Sequence, residues 1–180
     1  MRFFVLGLIV VFMSCKSSNK LITPKDIENF KRKIEHQNIK VTSNFAQPLG
    51  INSGVMGLEN LLPPGSTIGN INLSGSSNFF IIKKDSLEMD LPYYGQQRMS
   101  RGYNTSGSVE FSGKVASVKK EFIEKRNQYI FKYKVNTNTE MYNIVLTLHP
   151  NSSSNLVVNS SHRTTISYRG NWEELKKEKE

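Results

Sequence analysis

The feature that most limits what this chain can fold into is a series of short segments in which apolar and polar residues alternate, with no helical pattern between them. Alternation at period two puts successive side chains on opposite faces, so each segment reads as a half-buried strand. Ile39, Val41 and Phe45 alternate with Lys40, Thr42 and Asn44. Further strand-like runs cover Thr67 to Leu73, Asn78 to Lys83, Ser86 to Leu91, Ser108 to Phe111, Val115 to Glu124, Gln128 to Thr137, Glu140 to His149, Asn155 to Asn159 and Thr164 to Arg169. Turn-forming residues separate them, among them Lys84-Asp85, Lys125-Arg126-Asn127, Asn136-Thr137-Asn138 and the stretch Asn151 to Ser154. Tyr129, Phe131, Tyr133 and Val135 share one face, and Tyr142, Ile144, Leu146 and Leu148 share another. About ten short strands at this spacing predict a mainly β (α+β) chain, built as a single antiparallel β-sandwich or barrel-like sheet. Gly113, between Phe111 and Val115, predicts a bulge or sharp bend.

One helix precedes the strands. Thr23 is placed to cap it, Pro24 occupies its first position, and Asp26 stands three residues after Thr23 in a capping-box arrangement. Ile27, Phe30 and Ile34 form one narrow apolar stripe, Lys31, Arg32 and Lys33 bring positive charge towards the C-terminal end, and Asn38 is the expected stop. The segment from Pro48 to Ser66 is rich in Gly, Pro, Asn and Ser, and reads as a long loop with apolar Val55, Met56, Leu58, Leu61 and Leu62 inside it. Loops of this length are commonly functional, and a flap closing one end of the core is the structural alternative. Residues 173–180 are charged throughout apart from Leu175 and read as a frayed tail.

The N-terminal segment has a different character. Arg2 is followed by an apolar run from Phe3 to Met13 and by the small residue Ser14, the layout of a secretory signal. At about 1.5 Å per residue the run is too short for a hydrocarbon core roughly 30 Å thick. Cys15, the single cysteine of the chain, comes next. This placement resembles the lipobox of bacterial lipoproteins, with Phe12 where an aliphatic residue is usual. The resemblance implies that the Cys15 thiol receives a diacylglyceryl group and the chain is cut just before it. The expected organisation is therefore a lipoprotein signal peptide over 1–14, a lipidated tether over 15–22, one β-rich domain over 23–172 and the tail over 173–180. Without a second cysteine the domain can form no internal disulfide. Lys16, Ser17 and Ser18 after the cysteine carry neither an inner-membrane retention aspartate nor an acidic export run, so the periplasmic face of the outer membrane is the expected location.

The formal net charge of +9 could suit nucleic acid or anionic lipid headgroups, and for an exported, lipidated chain the second is expected. His36, His149 and His162 lie on separate segments without ligand-like spacing, so no metal or cofactor is expected. No Gly-x-Ser-x-Gly turn is present. Asp85, Glu88 and Asp90 are close in sequence and suggest, at most, an acid/base pair on a hairpin, though a solvated face is the simpler expectation. The segment Tyr93 to Gly107 contains Tyr93, Tyr94, Arg98, Arg101 and Tyr103, and aromatic faces interleaved with guanidinium groups can grip anionic or planar ligands. These five residues are the candidate ligand or partner surface. The structural alternative has the tyrosine rings packed into the barrel end with their hydroxyls at the surface, and the arginines solvated or paired. Arg163 is expected in an ion pair rather than on a ligand.

The motifs MDLPYYG (Met89 to Gly95), VEFSG (Val109 to Gly113), MYNIVLTL (Met141 to Leu148) and RTTISYRG (Arg163 to Gly170) resemble, in that order, a family of predicted bacterial lipoproteins called domain of unknown function 4251. The resemblance covers roughly Pro24 to Gly170 and brings no reaction, substrate or catalytic residue. The expected function is a non-enzymatic binding or structural module of the cell envelope, attached to the membrane by lipid on Cys15. A carrier of an apolar or amphipathic small ligand in a barrel cavity, and an envelope hydrolase using carboxylates, are the alternatives.

Overall fold

The computed structural model describes residues 22–50, 61–99 and 107–175. Ten antiparallel strands form one sheet: β1 Asn38–Pro48, β2 Ile71–Asn72, β3 Phe79–Lys83, β4 Ser86–Pro92, β5 Ser108–Lys114, β6 Ser117–Ile123, β7 Gln128–Asn136, β8 Met141–Leu148, β9 Ser153–Ser160 and β10 Ile166–Glu174. Their order is β5-β4-β3-β1-β10-β9-β8-β7-β6, with the short β2 attached to β1. The sheet curls into a half-barrel, so of the two expected architectures the barrel-like sheet forms and the two-layered sandwich does not. The edge strands β5 and β6 are consecutive in the chain. Val115 N donates to Asp85 O beside one edge and Ala116 N to Lys134 O beside the other. Two residues can bridge the edges of a nine-strand path only if the sheet is strongly curled.

Helix α1 (Pro24–Glu35) lies against the concave face. Thr23 Oγ1 accepts from Asp26 N and the Asp26 carboxylate accepts from Thr23 N, which completes the expected capping box. Phe30 and Ile34 are buried, and the Phe30 ring packs on Tyr129 and Trp172, each at 5.4 Å between centroids. His36 caps the C-terminal end and Gln37 turns the chain at a positive φ of 49°, so β1 begins at Asn38, the expected stop.

The inward residues of β7 and β8 line one face rather than two. Tyr129, Phe131, Tyr133 and Val135 stand opposite Leu148, Leu146, Ile144 and Tyr142, and all eight are buried. With Phe80, Leu87, Met89, Leu156, Val158, Ile166 and Tyr168 they make one continuous core.

Four expectations are corrected. In β1 the alternation slips: Ser43 pairs with Gly170 and Phe45 with Arg169, leaving Asn44 as the extra residue of a bulge. Ile39, Val41 and Ser43 face inward before it, Ala46 and Pro48 after it, and Phe45 is turned to a half-buried position. The predicted strand over Thr67 to Leu73 shrinks to Ile71–Asn72, because Thr67 and Asn70 bond to each other in a tight turn. Strand β5 runs through Gly113 without a register shift, and the change of course comes later, at Val115-Ala116. Strand β10 continues through Glu174, two residues into the expected tail, since Glu173 and Glu174 pair with Lys40 and Ile39. The predicted signal and tether up to residue 21, most of the apolar interior of the 48–66 loop, and residues 176–180 lie outside the described residues. Within that loop Leu62 packs against the core whereas Leu61 is exposed.

Candidate functional site

The chain leaves β4 at Pro92 and crosses the rim of the half-barrel as a strip fastened to the segment before β10. Thr164 N donates to Gln96 O (2.9 Å), Arg98 N to His162 O (2.7 Å), and Gln97 forms an isolated β-bridge with Arg163. Tyr93 is the pivot. Its Oη lies 2.9 Å from both Thr164 O and Thr164 Oγ1 and 3.0 Å from Gln96 O, so the hydroxyl is tied to the rim and not left at the surface as expected. Gly95 is required for this closure: a Cβ there would lie 2.2 Å from Tyr93 Oη and 2.6 Å from Thr164 Oγ1.

Beneath Tyr93 lies a buried ion pair. Arg163 Nε is 3.2 Å from Glu140 Oε1, with side-chain exposures of 1% and 0%. The Tyr93 ring covers the guanidinium at 4.9 Å, a cation–π contact inside the fold. Glu140 Oε2 accepts from Tyr142 Oη at 2.8 Å, and Oε1 also accepts from Ser160 Oγ. Ser160 Oγ in turn accepts from His162 N and Arg163 N, which folds the backbone before β10 around the carboxylate. Arg163 Nη1 and Nη2 find no hydrogen-bond acceptor among the described residues. Tyr168 Oη donates to Pro92 O at 2.9 Å, fixing the point where the rim strip starts. Burial raises the pKa of the Tyr93 and Tyr168 hydroxyls above the ordinary tyrosine value, so both remain protonated donors at neutral pH.

Arg163 is thus in the ion pair expected of it. Glu140, Ser160 and Thr164 were missed, although each has the parity of buried neighbours: Glu140 with Tyr142 and Ile144, Ser160 with Leu156 and Val158, Thr164 with Ile166 and Tyr168. A polar residue in an inward position was the available signal. Of the five candidate surface residues, Tyr93 is structural, Tyr94 is half-buried and packs on the core, and Arg98 is exposed beside Met99, itself 58% exposed. Arg101 and Tyr103 lie outside the described residues.

The carboxylates of β4 gather on the outer face. Asp90 stands opposite Glu110, and Glu88 pairs with Lys83 at 3.4 Å, both partly exposed. Among the described residues no group of three His, Cys, Asp or Glu is placed to hold a metal ion, and no helix is long and apolar enough to cross a membrane.

No curated protein matches the chain. Among solved structures, the crystal structure of a DUF4251 family protein from Bacteroides eggerthii DSM 20697 is similar, with a TM-score of 0.55 at 12% identity, covering 83% of this chain and 88% of that one. At that identity the likeness concerns the fold alone. The model of the family described as domain of unknown function (DUF4251) matches residues 24–172, nearly the whole β-rich domain. The chain belongs to the DUF4251 family.

Proposed function

We propose that this protein is a lipid-anchored, non-enzymatic binding module of the bacterial cell envelope, held by Cys15 at the periplasmic face of the outer membrane, that engages an envelope protein through its rim. The observation that carries the proposal is the rim strip itself. Backbone bonds from Thr164 and to His162 hold Gln96 to Met99 in one conformation, while Arg98 and Met99 stay exposed at its tip. A strip ordered in advance loses little entropy when a partner binds, and a guanidinium next to an apolar side chain is a common anchor composition. Arg101 and Tyr103 follow in sequence and extend the same chemistry.

The filled concave face weighs against a carrier. Helix α1 and the stacked rings of Phe131 and Tyr133, 6.1 Å apart, occupy the space that an enclosed ligand would need. The outer-face carboxylates give little support to a hydrolase, because Glu88 is already paired with Lys83 on an open surface.

The test is affinity capture of the full-length protein from its own envelope, wild type beside Arg98→Glu with Met99→Asp. Both residues are exposed, so the melting temperature should hardly change. Loss of a co-purifying envelope protein from the variant is the expected result, and undiminished capture of the same protein contradicts a role for the rim.

A further inference from the structure

The outer face of β6 and β7 carries a ladder of like charge. Lys119 stands directly opposite Lys132, and Lys134, on the same face of β7, stands opposite Ser117 on one side and Asn143 on the other. All three lysines are exposed, and none makes an ion pair among the described residues. The nearest carboxylate along the face of β6 is Glu121, which stands opposite Ile130. Like charges placed directly across a sheet are unfavourable, and one carboxylate, Glu121, stands beside three ammonium groups on this face. Such an excess of positive charge is complementary to an anionic partner.

The shape narrows the partner. A groove of about 340 Å³ runs between the lysine stems, lined by Lys119 of β6, by Lys132 and Lys134 of β7, and by Val145 of β8. Met141 at the start of β8 is 56% exposed on the same outer face as Val145. Apolar floor and ammonium rim together suit a molecule with an anionic head and an apolar body.

The course of the chain brings the tether to the same edge of the sheet. Lys31 of α1 sits over the Phe122 ring of β6 at 4.2 Å, and Lys120 of β6 donates to Ile34 O at 3.3 Å. Phe122 and Lys120 stand opposite Tyr129 and Phe131, so the helix runs along the edge strand β6 on its concave side, with the ladder on the other side of the same strand. From Ile22 back to Cys15, seven residues reach at most about 25 Å.

We infer that the outer face of β6, β7 and β8 docks on anionic phospholipid headgroups, with phosphates held between Lys119, Lys132 and Lys134 and the apolar floor against the shoulder of the lipid. The orientation towards the membrane rests on the Cys15 anchor proposed above, whereas the charge and shape of the face do not. The experiment therefore removes the anchor. The mature chain from residue 15 onwards, carrying Cys15→Ser, is sedimented with vesicles of phosphatidylcholine alone and of phosphatidylcholine mixed with phosphatidylglycerol. Partition into the mixed vesicles alone is expected. Lys119→Gln with Lys132→Gln and Lys134→Gln should weaken it about fivefold per lysine, on the order of a hundredfold in all. The triple variant should melt no lower than its parent, since a repulsive pair has gone. Changing Lys33, Lys84 and Lys114 to Gln, elsewhere on the surface, should have a much smaller effect. Equal losses from the two triple variants overturn the inference. So does equal binding to both vesicle types, or binding of inorganic phosphate without any vesicle partition.

Discussion

At the scale of single residues, the rim is held by groups that tolerate no substitute. A methyl group at Gly95 would overlap Tyr93 Oη, and one at Gly170 would lie 2.0 Å from Thr42 O, opposite the β1 bulge. Gly170 faces backbone that cannot move aside, so Gly170→Ala should cost about 3 kcal/mol, the upper end of the range typical of overpacking, in urea denaturation. The Arg163–Glu140 pair gives a second prediction. Glu140→Gln leaves a guanidinium buried without its counter-charge and should cost about 3–5 kcal/mol, whereas Glu140→Leu combined with Arg163→Met should cost far less. Unfolding midpoints of the single and double variants check this, and equal losses would refute it. The sequence made the ion pair of Arg163 legible but not its partner. Glu140 lies in a polar turn, where a carboxylate is unremarkable, and only its parity with Tyr142 marks it as inward.

At the scale of elements, legibility followed the local signals. Helix α1 was readable because capping is a short-range matter of Thr23, Pro24 and Asp26, and Thr23→Ala should lower stability by about 1 kcal/mol. The β1 bulge was not readable, because one extra residue leaves composition unchanged and depends on a distant partner. The Asn78 amide supplies that partner, donating to Ser43 O at 2.9 Å and accepting from Ser43 N at 2.8 Å. Asn78→Ala should therefore destabilise more than an exposed Asn change, by about 1–3 kcal/mol for the buried backbone groups left unpaired. The turn from β8 to β9 carries the pH dependence. Burial lowers the pKa of His149, whose carbonyl also accepts from Trp172 Nε1. The unfolded chain then takes up a proton near the ordinary histidine value that the folded chain resists, so stability is full above about pH 6.5 and falls as pH drops through the lower folded value. Melting temperatures should decline on going from about pH 7 to about pH 5, and His149→Gln should remove part of that decline.

At the scale of the molecule, the mainly β class and the number of strands were legible, since period two survives in nearly every segment. The order of strands was not. Strand β1 pairs with both β3 and β10, which lie far from it in the chain, and the short β5–β6 link spans the two edges only once the whole sheet has curled. Within the candidate surface, sequence chemistry found Tyr93 and Arg98 but could not separate the residue that builds the rim from the one displayed on it. A concave face filled by α1 and the aromatic ladder predicts that native mass spectrometry of the domain from Pro24 onwards, with Lys119, Lys132 and Lys134 changed to Gln, gives a clean mass, and a retained lipid-sized adduct would revive the carrier alternative. The central claim is that this half-barrel works at a membrane, tied there by Cys15. Metabolic labelling with a fatty-acid analogue tests it most directly: the wild-type chain should carry the label while Cys15→Ser is unlabelled and left unprocessed or soluble, and an unlabelled wild type would contradict the claim.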